Sequence, residues 1–508
     1  MQLTSSPHQP WLLASFFRSK KMKKRSRGLL AICIVLFFIA LSSYLTNPFT
    51  KFSAVQEAFS TTVNSSNQIV MTRDTHLFIR TSIFYRSFSA IKTLYHIFGN
   101  VYQGDKSTKS SQLTEIIQEI HQKRFDPENL FLISGDHFSS LYIRSLGIFY
   151  ASLLDPRTAL NEIDWLNRQK IYLQTTAYAL EVFSQSSFLS TTIVPVGVRS
   201  VSLLNIYSPP SDSLFSLLYA LRVMQTSEDL LNIYPFESNS SPKLQTSQAA
   251  QILLFEYQDT LLRHYQNYIA STVDPSTDLI KKNILLSGTK DITKRESAFY
   301  DNVILWKTQQ LAQQLGIVPV DQDRLNALKK RILKTYWLSN EGYFLEDQSM
   351  AARDQGYYSS DWLIVLQTGF LSPQNPEERF YFEESVSYIQ QNKLDQPFGL
   401  RYQLTNRAER VYPLVQLFLP EYGGTTIWSN WGMEYIKLLM LLHKETGNAN
   451  YLETAKRQLQ SYSDNIVKYH CYPEVYDSSG KMLRNFFYKS VCQTGWVVSY
   501  EQAVKMVE

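Results

Sequence analysis

The chain has 508 residues, a formal net charge of +5 and a hydrophobic share of 44%. This length allows one large domain or roughly two to four ordinary ones. Much of the excess positive charge lies in one N-terminal cluster, so the composition indicates no nucleic-acid surface. The three cysteines are too few for a disulfide framework or a zinc site, and we expect no metal and no cofactor.

The N-terminal segment carries a membrane signal. Basic residues between Lys20 and Arg27 precede an apolar run from Gly28 to Leu45. A run of about 18 residues is at the lower limit for a helix that spans a bilayer. The positive-inside rule then places the N-terminus in the cytoplasm and the main domain outside it. A cleaved signal peptide is the alternative to this uncleaved anchor.

We therefore predict four regions along the chain. Residues 1–27 form a cytoplasmic basic tail, and residues 28–45 form a transmembrane signal anchor. Residues 46–72 are rich in Ser, Thr and Asn and indicate a stalk. Residues 73–508 form the main domain, which we expect to be extracytoplasmic.

Helix-period segments dominate the main domain. The candidate helices are 75–98, 111–123, 138–153, 157–184, 211–224, 246–270, 297–315, 322–337, 358–368, 376–391, 429–446, 450–468 and 488–506. Strand alternation is scarce, and the best runs, such as Ile193–Val198, fit short hairpins. The pattern predicts an all-α domain.

The candidate helices differ in how far their apolar residues extend around the helix. Residues 433–442 are apolar on nearly all sides, whereas 450–468 confines its apolar residues to one stripe. The same alternation of a broadly apolar helix with a one-sided helix is less clear in the pair 297–315 and 322–337. Alternating buried and surface helices predict a double-layered toroid, with an inner ring enclosed by an outer ring. An irregular bundle or a solenoid would give a similar pattern, but no fixed repeat supports a solenoid.

Polar and aromatic clusters recur just before helices. They are Ser134–Phe138, Ser287–Asn302, Tyr357–Trp362, Tyr422–Trp431, and Cys471–Gly480 with Gln493–Trp496. The ordinary interpretation of Asp136, Ser297 and Ser360 is that they cap the helices that follow. In a toroid, however, the same end of every inner helix converges on one funnel. The five clusters therefore predict one site, and acids, amides and Trp faces lining a funnel suit sugar binding.

The clusters resemble motifs of the six-hairpin glycosidases, most specifically the amylo-α-1,6-glucosidase (glycogen-debranching) group with its glucoamylase and trehalase relatives. Tyr472–Tyr476, followed by Gln493–Trp496, resembles the Pro-Glu segment and the Gln-x-Trp of that group. Thr289–Asp291 stands where the group has a short motif that ends in its general-acid Asp. The resemblance thus implies an (α/α)6 toroid in which Glu474 is the catalytic base and Asp291 the catalytic acid.

The same resemblance implies a set of sugar-binding residues. Gly424–Trp428 resembles the Gly-x-x-Trp that lines the sugar subsite, and Gly135–Phe138 resembles an Arg-Asp-x-Phe segment with Gly135 in place of the Arg. The predicted substrate-binding residues are Asp136, Phe138, Tyr300, Asp301, Asp361, Trp428, Gln493 and Trp496. Asp361 lies where the family often has an Asn-Gln pair. The resemblance extends over about residues 75–508.

The sequence therefore predicts a membrane-anchored glycoside hydrolase that acts on an α-glucosidic or related oligo- or polysaccharide. Two alternatives stay open, a toroid that binds a surface glycan without cleaving it and a helical scaffold for a membrane partner. Locally, Asp291 could be an exposed loop acid and Glu474 a salt-bridged loop residue. Cys471 and Cys492 flank the last cluster, and they could form a disulfide in an exported domain or remain two buried thiols.

Overall fold

The computed structural model describes residues 59–63, 69–73, 78–80, 83–102, 108–124, 132, 135, 140–159, 161–197, 200–233, 246–290, 292–407, 410–419, 421–492 and 494–508. The predicted tail and anchor lie outside these residues, as does part of the stalk. Within the described ranges, no helix is both long and apolar enough to cross a membrane. The predicted domain boundaries stay predictions.

α-Helices make up most of the secondary structure of the described chain. In chain order, these helices are α1 (Ile83–Tyr102), α2 (Leu113–Arg124), α3 (Glu162–Ser184), α4 (Ser213–Ile233), α5 (Thr246–Glu256), α6 (Gln258–Thr272), α7 (Phe299–Gln314), α8 (Gln322–Tyr336), α9 (Met350–Gln355), α10 (Ile364–Thr368), α11 (Pro376–Gln391), α12 (Pro413–Phe418), α13 (Ser429–Thr446), α14 (Ala449–Tyr469) and α15 (Val497–Val507). The 3-10 segments are Ile143–Leu146, Ala151–Leu154, Pro156–Thr158 and Ser360–Leu363.

The strands are short. The first three precede α1, and the others lie in connections between helices. In chain order, they are β1 (Phe59–Val63), β2 (Ile69–Arg73), β3 (Phe78–Ile79), β4 (Leu141–Tyr142), β5 (Thr192–Gly197), β6 (Ser200–Leu204), β7 (Trp337–Leu338), β8 (Tyr343–Phe344), β9 (Ile427–Trp428) and β10 (Val475–Tyr476). They form one four-stranded sheet in the order β3-β6-β5-β4 and three two-stranded pairs. The hairpin predicted around Ile193–Val198 is confirmed, because β5 pairs antiparallel with β6.

The helices pack as two concentric rings. The inner ring runs from the 3-10 segments of residues 143–154 through α4, α7, the 3-10 segment before α10 with α10, α13 and α15, and each member packs against the next. The ring closes because α15 packs against the 3-10 segments Ala151–Leu154 and Pro156–Thr158. The outer elements α2, α3, α5 with α6, α8, α11 and α14 alternate with the inner ones along the chain. This arrangement is the predicted toroid.

Burial distinguishes the two rings as the apolar patterns predicted. Most residues of α7 and α13 are buried, which is the expected condition of an inner helix. The outer helix α8 buries only Leu325, Leu328, Ile332 and Tyr336, all on one face. Gly447, in the left-handed conformation at φ 70°, ends α13 and lets the chain turn directly into α14.

Several predicted helices are partly wrong. The helix predicted over 75–98 begins only at Ile83, after strand β3, and the one predicted over 246–270 is divided into α5 and α6. Residues 138–153 contain β4 and 3-10 turns instead of an α-helix, because Leu141 pairs with Ile193 in the sheet. Gly147 then lies so close to α4 that a Cβ added to it would be 2.7 Å from the hydroxyl oxygen of Ser216. The helix predicted over 488–506 begins only at Val497, since the residues before it are bonded to the segment that carries Glu474.

The helix caps also differ from the prediction. Ser297 has a left-handed backbone (φ 48°), and its hydroxyl group contacts the hydroxyl of Tyr336 and the side-chain amide of Asn302. Ala298, not Ser297, therefore precedes the first turn of α7. Ser360 lies inside a 3-10 segment and does not cap it. Asp136 lies outside the described residues. The short helices α9 and α12 were not predicted.

Candidate functional site

Residues at the beginnings of the inner-ring elements contact one another at one end of the toroid. Tyr300, in the first turn of α7, donates a hydrogen bond to Asp212 Oδ2 just before α4 (3.3 Å). Arg295, before α7, pairs with Asp361 in the 3-10 segment before α10 (2.6 Å). Three consecutive inner elements are thereby joined at their N-terminal ends.

Two tryptophans continue this line of contacts around the ring. Trp428 directly precedes α13, Trp496 directly precedes α15, and their ring centroids are 6.3 Å apart. Trp496 stacks on Phe149 between the 3-10 segments (5.1 Å). A Cβ added to Gly495 would lie 2.6 Å from the ring of Tyr150, so the close packing here requires glycine. Four of the five predicted clusters therefore have residues at this end, and the first, Ser134–Phe138, lies outside the described residues apart from Gly135.

Glu474 lies at this end and is only 5% exposed. Its backbone N–H donates to Val491 O (2.9 Å), and its carbonyl oxygen accepts from Ser429 N at the start of α13 (3.0 Å). The pairing of β10 with β9 sets Val475 opposite Trp428. The position of Glu474 is thus fixed from both sides by main-chain hydrogen bonds.

A series of aromatic rings in mutual contact begins at the Glu474 carboxylate. The hydroxyl of Tyr488 donates a long hydrogen bond to Glu474 Oε2 (3.5 Å). Tyr488 contacts Tyr422 at a centroid distance of 5.4 Å, and Tyr422 contacts Trp428 at 4.9 Å. The indole N–H of Trp428 donates to Tyr422 O (3.0 Å), and Tyr402 lies against the same indole (5.7 Å). We call Tyr488, Tyr422, Trp428, Tyr402 and Trp496 the aromatic wall.

A second buried carboxylate, Glu346, lies behind the aromatic wall. Lys290 Nζ is 2.7 Å from its Oε1, while Arg410 (2.9 Å) and the Gln403 amide (2.8 Å) bind its Oε2. Burial by itself would raise the pKa of Glu346, but Lys290, Arg410 and Arg295 outweigh it and lower that pKa to about 2. Glu346 is therefore ionised at neutral pH, and both of its carboxylate oxygens are bound by neighbouring side chains.

Lys290 connects this carboxylate to the aromatic wall. Its Nζ lies 4.4 Å from the ring centroid of Tyr402. A Cβ added to Gly423 would lie 3.7 Å from Lys290 Cε and 3.6 Å from Ile292 Cδ1. The residues on either side of position 291 thus contact the segment that carries Tyr422 and Trp428. Burial lowers the pKa of Lys290 to about 8, against the opposing effect of Glu346.

The structure gives different positions to the predicted sugar-binding residues. Trp428 and Trp496 belong to the aromatic wall, whereas Tyr300 and Asp301 lie buried in the first turn of α7. Burial raises the pKa of Asp301, and Arg295 partly offsets this effect. Asp361 is occupied by its ion pair with Arg295. Four predicted residues lie outside the described part of the chain: Asp136, Phe138, Gln493 and Asp291. The distance between the carboxyl groups of Asp291 and Glu474 therefore stays untested.

Sequence reasoning missed several residues of this end of the toroid. Glu346 is separated by one residue from the buried strand β8, and a pair of acids at the end of an apolar run, Glu346-Asp347, was an available signal. Tyr402 and Tyr488 carried no such signal, because tyrosine is abundant throughout the chain (32 residues). Cys471 and Cys492, for which the sequence allows either a disulfide or two thiols, form a disulfide around the Glu474 segment.

No protein-family model and no curated protein matches the chain. Among solved structures, the glucoamylase from Saccharomycopsis fibuligera matches with a TM-score of 0.50 and 12% identity, over 80% of this chain and 97% of that chain. The neutral trehalase from Saccharomyces cerevisiae matches with a TM-score of 0.45 and 12% identity, over 92% and 94% of the two chains. A rhamnosidase from Klebsiella oxytoca matches with a TM-score of 0.45 and 13% identity, over 78% and 63%.

At these identities, the similarity to the glucoamylase establishes the fold alone. The chain has the (α/α)6 toroid fold, as its sequence predicted.

Proposed function

We propose that the chain is an inverting glycoside hydrolase acting on an α-glucosidic or related glycan, with Glu474 as general base and Asp291 as general acid. The observation that carries this proposal is the position of Glu474, a nearly buried carboxylate fixed in the aromatic wall where the inner helices begin. Inverting hydrolysis needs one carboxylic acid and one carboxylate, about 6.5–9.5 Å apart, on opposite faces of the sugar.

The surroundings of Glu474 suit a base that must remain ionised and oriented. Burial, followed by the charge of Glu474, raises the pKa of Tyr488 well above its ordinary value, so that its hydroxyl keeps its proton at neutral pH. A protonated hydroxyl can donate to the carboxylate and stabilise its charged form. Main-chain hydrogen bonds to Val491 and Ser429 hold the residue in place without a large reorganisation.

The cations near position 291 also suit an acid there. A free cation beside a carboxyl group favours its ionised form and weakens it as a proton donor. Lys290 is bound to Glu346 and Arg295 to Asp361, so both cations are already neutralised by other carboxylates. In the proposed mechanism Asp291 protonates the leaving oxygen while Glu474 activates a water molecule.

We further propose that residues 28–45 anchor the domain to a membrane with the N-terminus in the cytoplasm. The disulfide between Cys471 and Cys492 supports an extracytoplasmic domain, because disulfides persist mainly in oxidising compartments. The proposed sugar subsite comprises Trp428 and Trp496 from the aromatic wall, Tyr300 and Asp301 from α7, and Asp136, Phe138 and Gln493.

The alternative is a toroid that binds a glycan without cleaving it. It is favoured by Gly135, which stands where the resembling segment has an arginine. Glycan binding without release of sugar, in a chain whose Asp291→Asn and Glu474→Gln variants bind equally well, would support this alternative.

The test uses the full chain purified in detergent and assayed for sugar release from α-1,4- and α-1,6-linked glucosides. We expect Glu474→Gln and Asp291→Asn each to lower the rate at least about 100-fold, because each removes one of the two acid–base groups. The control is Glu453→Gln on the exposed side of α14, which should leave the rate unchanged. NMR of the first product distinguishes the mechanisms, since inversion releases the β-anomer. Activity that survives both substitutions would remove these residues from the mechanism.

A further inference from the structure

A cavity opens at the surface where α6 meets the end of α3 and the segment before α4. Its volume is about 510 Å³, which lies within the range of roughly 300–1,000 Å³ that small-molecule sites occupy. The lining residues come from 187–189, 208–210 and the second half of α6. None of these residues belongs to the aromatic wall or to the five clusters predicted from the sequence. We call this space the α6 cavity.

Tyr268 is a buried lining residue whose hydroxyl group is unused. It is 5% exposed, and its hydroxyl has no hydrogen-bond partner among the described residues. Burial, together with the charges of Asp301 and Asp212, raises the pKa of Tyr268, so the hydroxyl keeps its proton at neutral pH. A buried donor without an acceptor carries a desolvation cost, which a ligand oxygen would offset. Tyr268 therefore indicates a ligand that accepts hydrogen bonds.

His264, one turn before Tyr268 on the same face of α6, adds an acceptor to the lining. Its Nε2 lies 2.9 Å from the carbonyl oxygen of Phe183. Because a carbonyl oxygen only accepts hydrogen bonds, the ring proton is on Nε2. Burial lowers the pKa of His264, so the ring is neutral near pH 7 and its Nδ1 keeps a lone pair. The buried lining thus offers both a donor and an acceptor.

The exposed part of the lining is polar and carries no formal charge. Four exposed lining residues bear hydroxyl or amide groups: Ser187, Ser208, Asn267 and Ser271. Among the described residues that line the α6 cavity, none is Asp, Glu, Lys or Arg. Arg263, next to His264 in sequence, donates to main-chain carbonyl oxygens at the end of α3. A charged ligand would lose hydration here without gaining a counter-charge, so the cavity favours a neutral one.

The walls of the α6 cavity are fixed by hydrogen bonds of the chain itself. Ser287 Oγ accepts from Tyr207 N and donates to Tyr207 O, both at 2.7 Å. Pro210 forms a β-bridge with Ser287. The side-chain amide of Asn205 donates to Leu189 O (3.3 Å). A cavity formed in advance loses little conformational entropy when a ligand binds.

We propose that the α6 cavity is a second ligand site, which binds a small neutral sugar. Each sugar hydroxyl both donates and accepts, which matches the donor on Tyr268 and the acceptor on His264. The C–H faces of a pyranose ring suit the apolar part of the lining, which includes Leu189, Pro209 and Pro210. A purely apolar ligand would leave the Tyr268 hydroxyl unpaired. The inference goes beyond the proposed function, since such a site binds sugar whether or not Glu474 is catalytic.

The test follows hydrogen exchange of the full chain in detergent as maltose is added. The Glu474→Gln chain is used, so that the sugar is not consumed. We expect maltose to slow exchange in peptides that cover residues 185–190 and 205–210. Ala270→Tyr, which introduces a large side chain into the cavity lining, should abolish this protection. The matched control is Ala327→Tyr at an exposed position of α8, which should preserve it.

A smaller change tests the hydroxyl of Tyr268. Tyr268→Phe should raise the maltose concentration for half-maximal protection about fivefold, because one hydrogen bond to the ligand is lost. It should not lower the free energy of unfolding, because the hydroxyl has no partner in the free chain. Glucose 6-phosphate should need at least about tenfold more ligand than glucose for the same protection, since its charge finds no counter-charge in the cavity.

Protection that survives Ala270→Tyr, or exchange at 185–190 and 205–210 that maltose leaves unchanged, would overturn the second site. Protection confined to peptides covering 421–431 and 485–492 would assign maltose to the Glu474 site alone and would also overturn it. If Ala270→Tyr does not fold, Tyr268→Phe decides, and an unchanged half-maximal concentration contradicts the proposal. All of these measurements report binding, so they remain decisive even if the chain cleaves no glucoside and the proposed function fails.

Discussion

Glu346 and Glu474 are both buried carboxylates at the same end of the toroid, but their surroundings differ in kind. Glu346 is bound by Lys290, Arg410 and the Gln403 amide, which together satisfy both of its oxygens. Glu474 is fixed by main-chain hydrogen bonds to Val491 and Ser429, and its carboxylate accepts a hydrogen bond from the neutral hydroxyl of Tyr488. Cations bound to Glu346 keep it ionised and make it a poor proton acceptor, whereas a neutral tyrosine hydroxyl is among the contacts of Glu474.

The strongest test of this contrast is the substitution Glu346→Gln. Glu346→Gln leaves Lys290 as an uncompensated buried charge, whereas Arg410 keeps its ion pair with Asp347. We expect the free energy of unfolding to fall by about 3–5 kcal/mol. Guanidinium chloride unfolding at pH 7 measures this change. Glu474→Gln is the matched variant and should lose less stability than Glu346→Gln, because a glutamine amide oxygen can still accept the hydrogen bond from Tyr488. If the two variants lose equal stability, the contrast between the two sites is wrong.

The pH dependence of stability offers a second, smaller test. In the folded chain the pKa of Glu346 is lowered to about 2, while in the unfolded chain a glutamate titrates near about 4.3. Between these values the unfolded chain binds more protons, so the stabilisation is complete above about pH 4.3 and is lost as the pH falls towards 2. Unfolding followed from pH 6 to about pH 2.5 should therefore show a shallower loss of stability in Glu346→Gln than in the wild-type chain. If the stability of both chains fell equally with pH, Glu346 would not be the source of the pH dependence.

The smallest effect is expected for the substitution Tyr488→Phe, which removes a single hydroxyl group from the surroundings of Glu474. We expect Tyr488→Phe to lower kcat roughly fivefold with the fold intact, because the lost hydrogen bond is long and worth about 1 kcal/mol. Tyr412→Phe, which alters a more exposed tyrosine, is the control and should leave kcat unchanged. An unaltered kcat in Tyr488→Phe would mean that the hydroxyl does not assist Glu474.

Sequence patterns predicted the toroid because the apolar pattern of each long helix indicates how much of its surface is buried. The helix α13 is apolar on nearly all sides and α14 on one stripe, and the structure buries them accordingly. The prediction of a helix over residues 138–153 was wrong because a short apolar run has no periodicity that distinguishes a buried helix from a strand. The strand β4 forms here because Leu141 pairs with Ile193 in a distant hairpin.

The site was harder to predict because its partners lie far apart along the chain. Lys290 binds Glu346, 56 residues away, and Arg295 binds Asp361, 66 residues away. No local pattern specifies which acid a basic residue will find. Glu474 was recognisable through a motif, whereas Tyr488 and Tyr402 were not, since only the folded toroid brings their rings to the aromatic wall.

The disulfide between Cys471 and Cys492 encloses Glu474, Tyr488 and the exposed hairpin tip within one covalent loop. Proteases usually cut exposed loop tips, and Arg484 to Phe487 form such a tip here. A cut at this tip would leave Glu474 on one strand and Tyr488 on the other, and the disulfide would still join the two strands. A nicked molecule would therefore migrate as one chain until reduction, and the two halves of the Glu474 surroundings would stay on the same molecule.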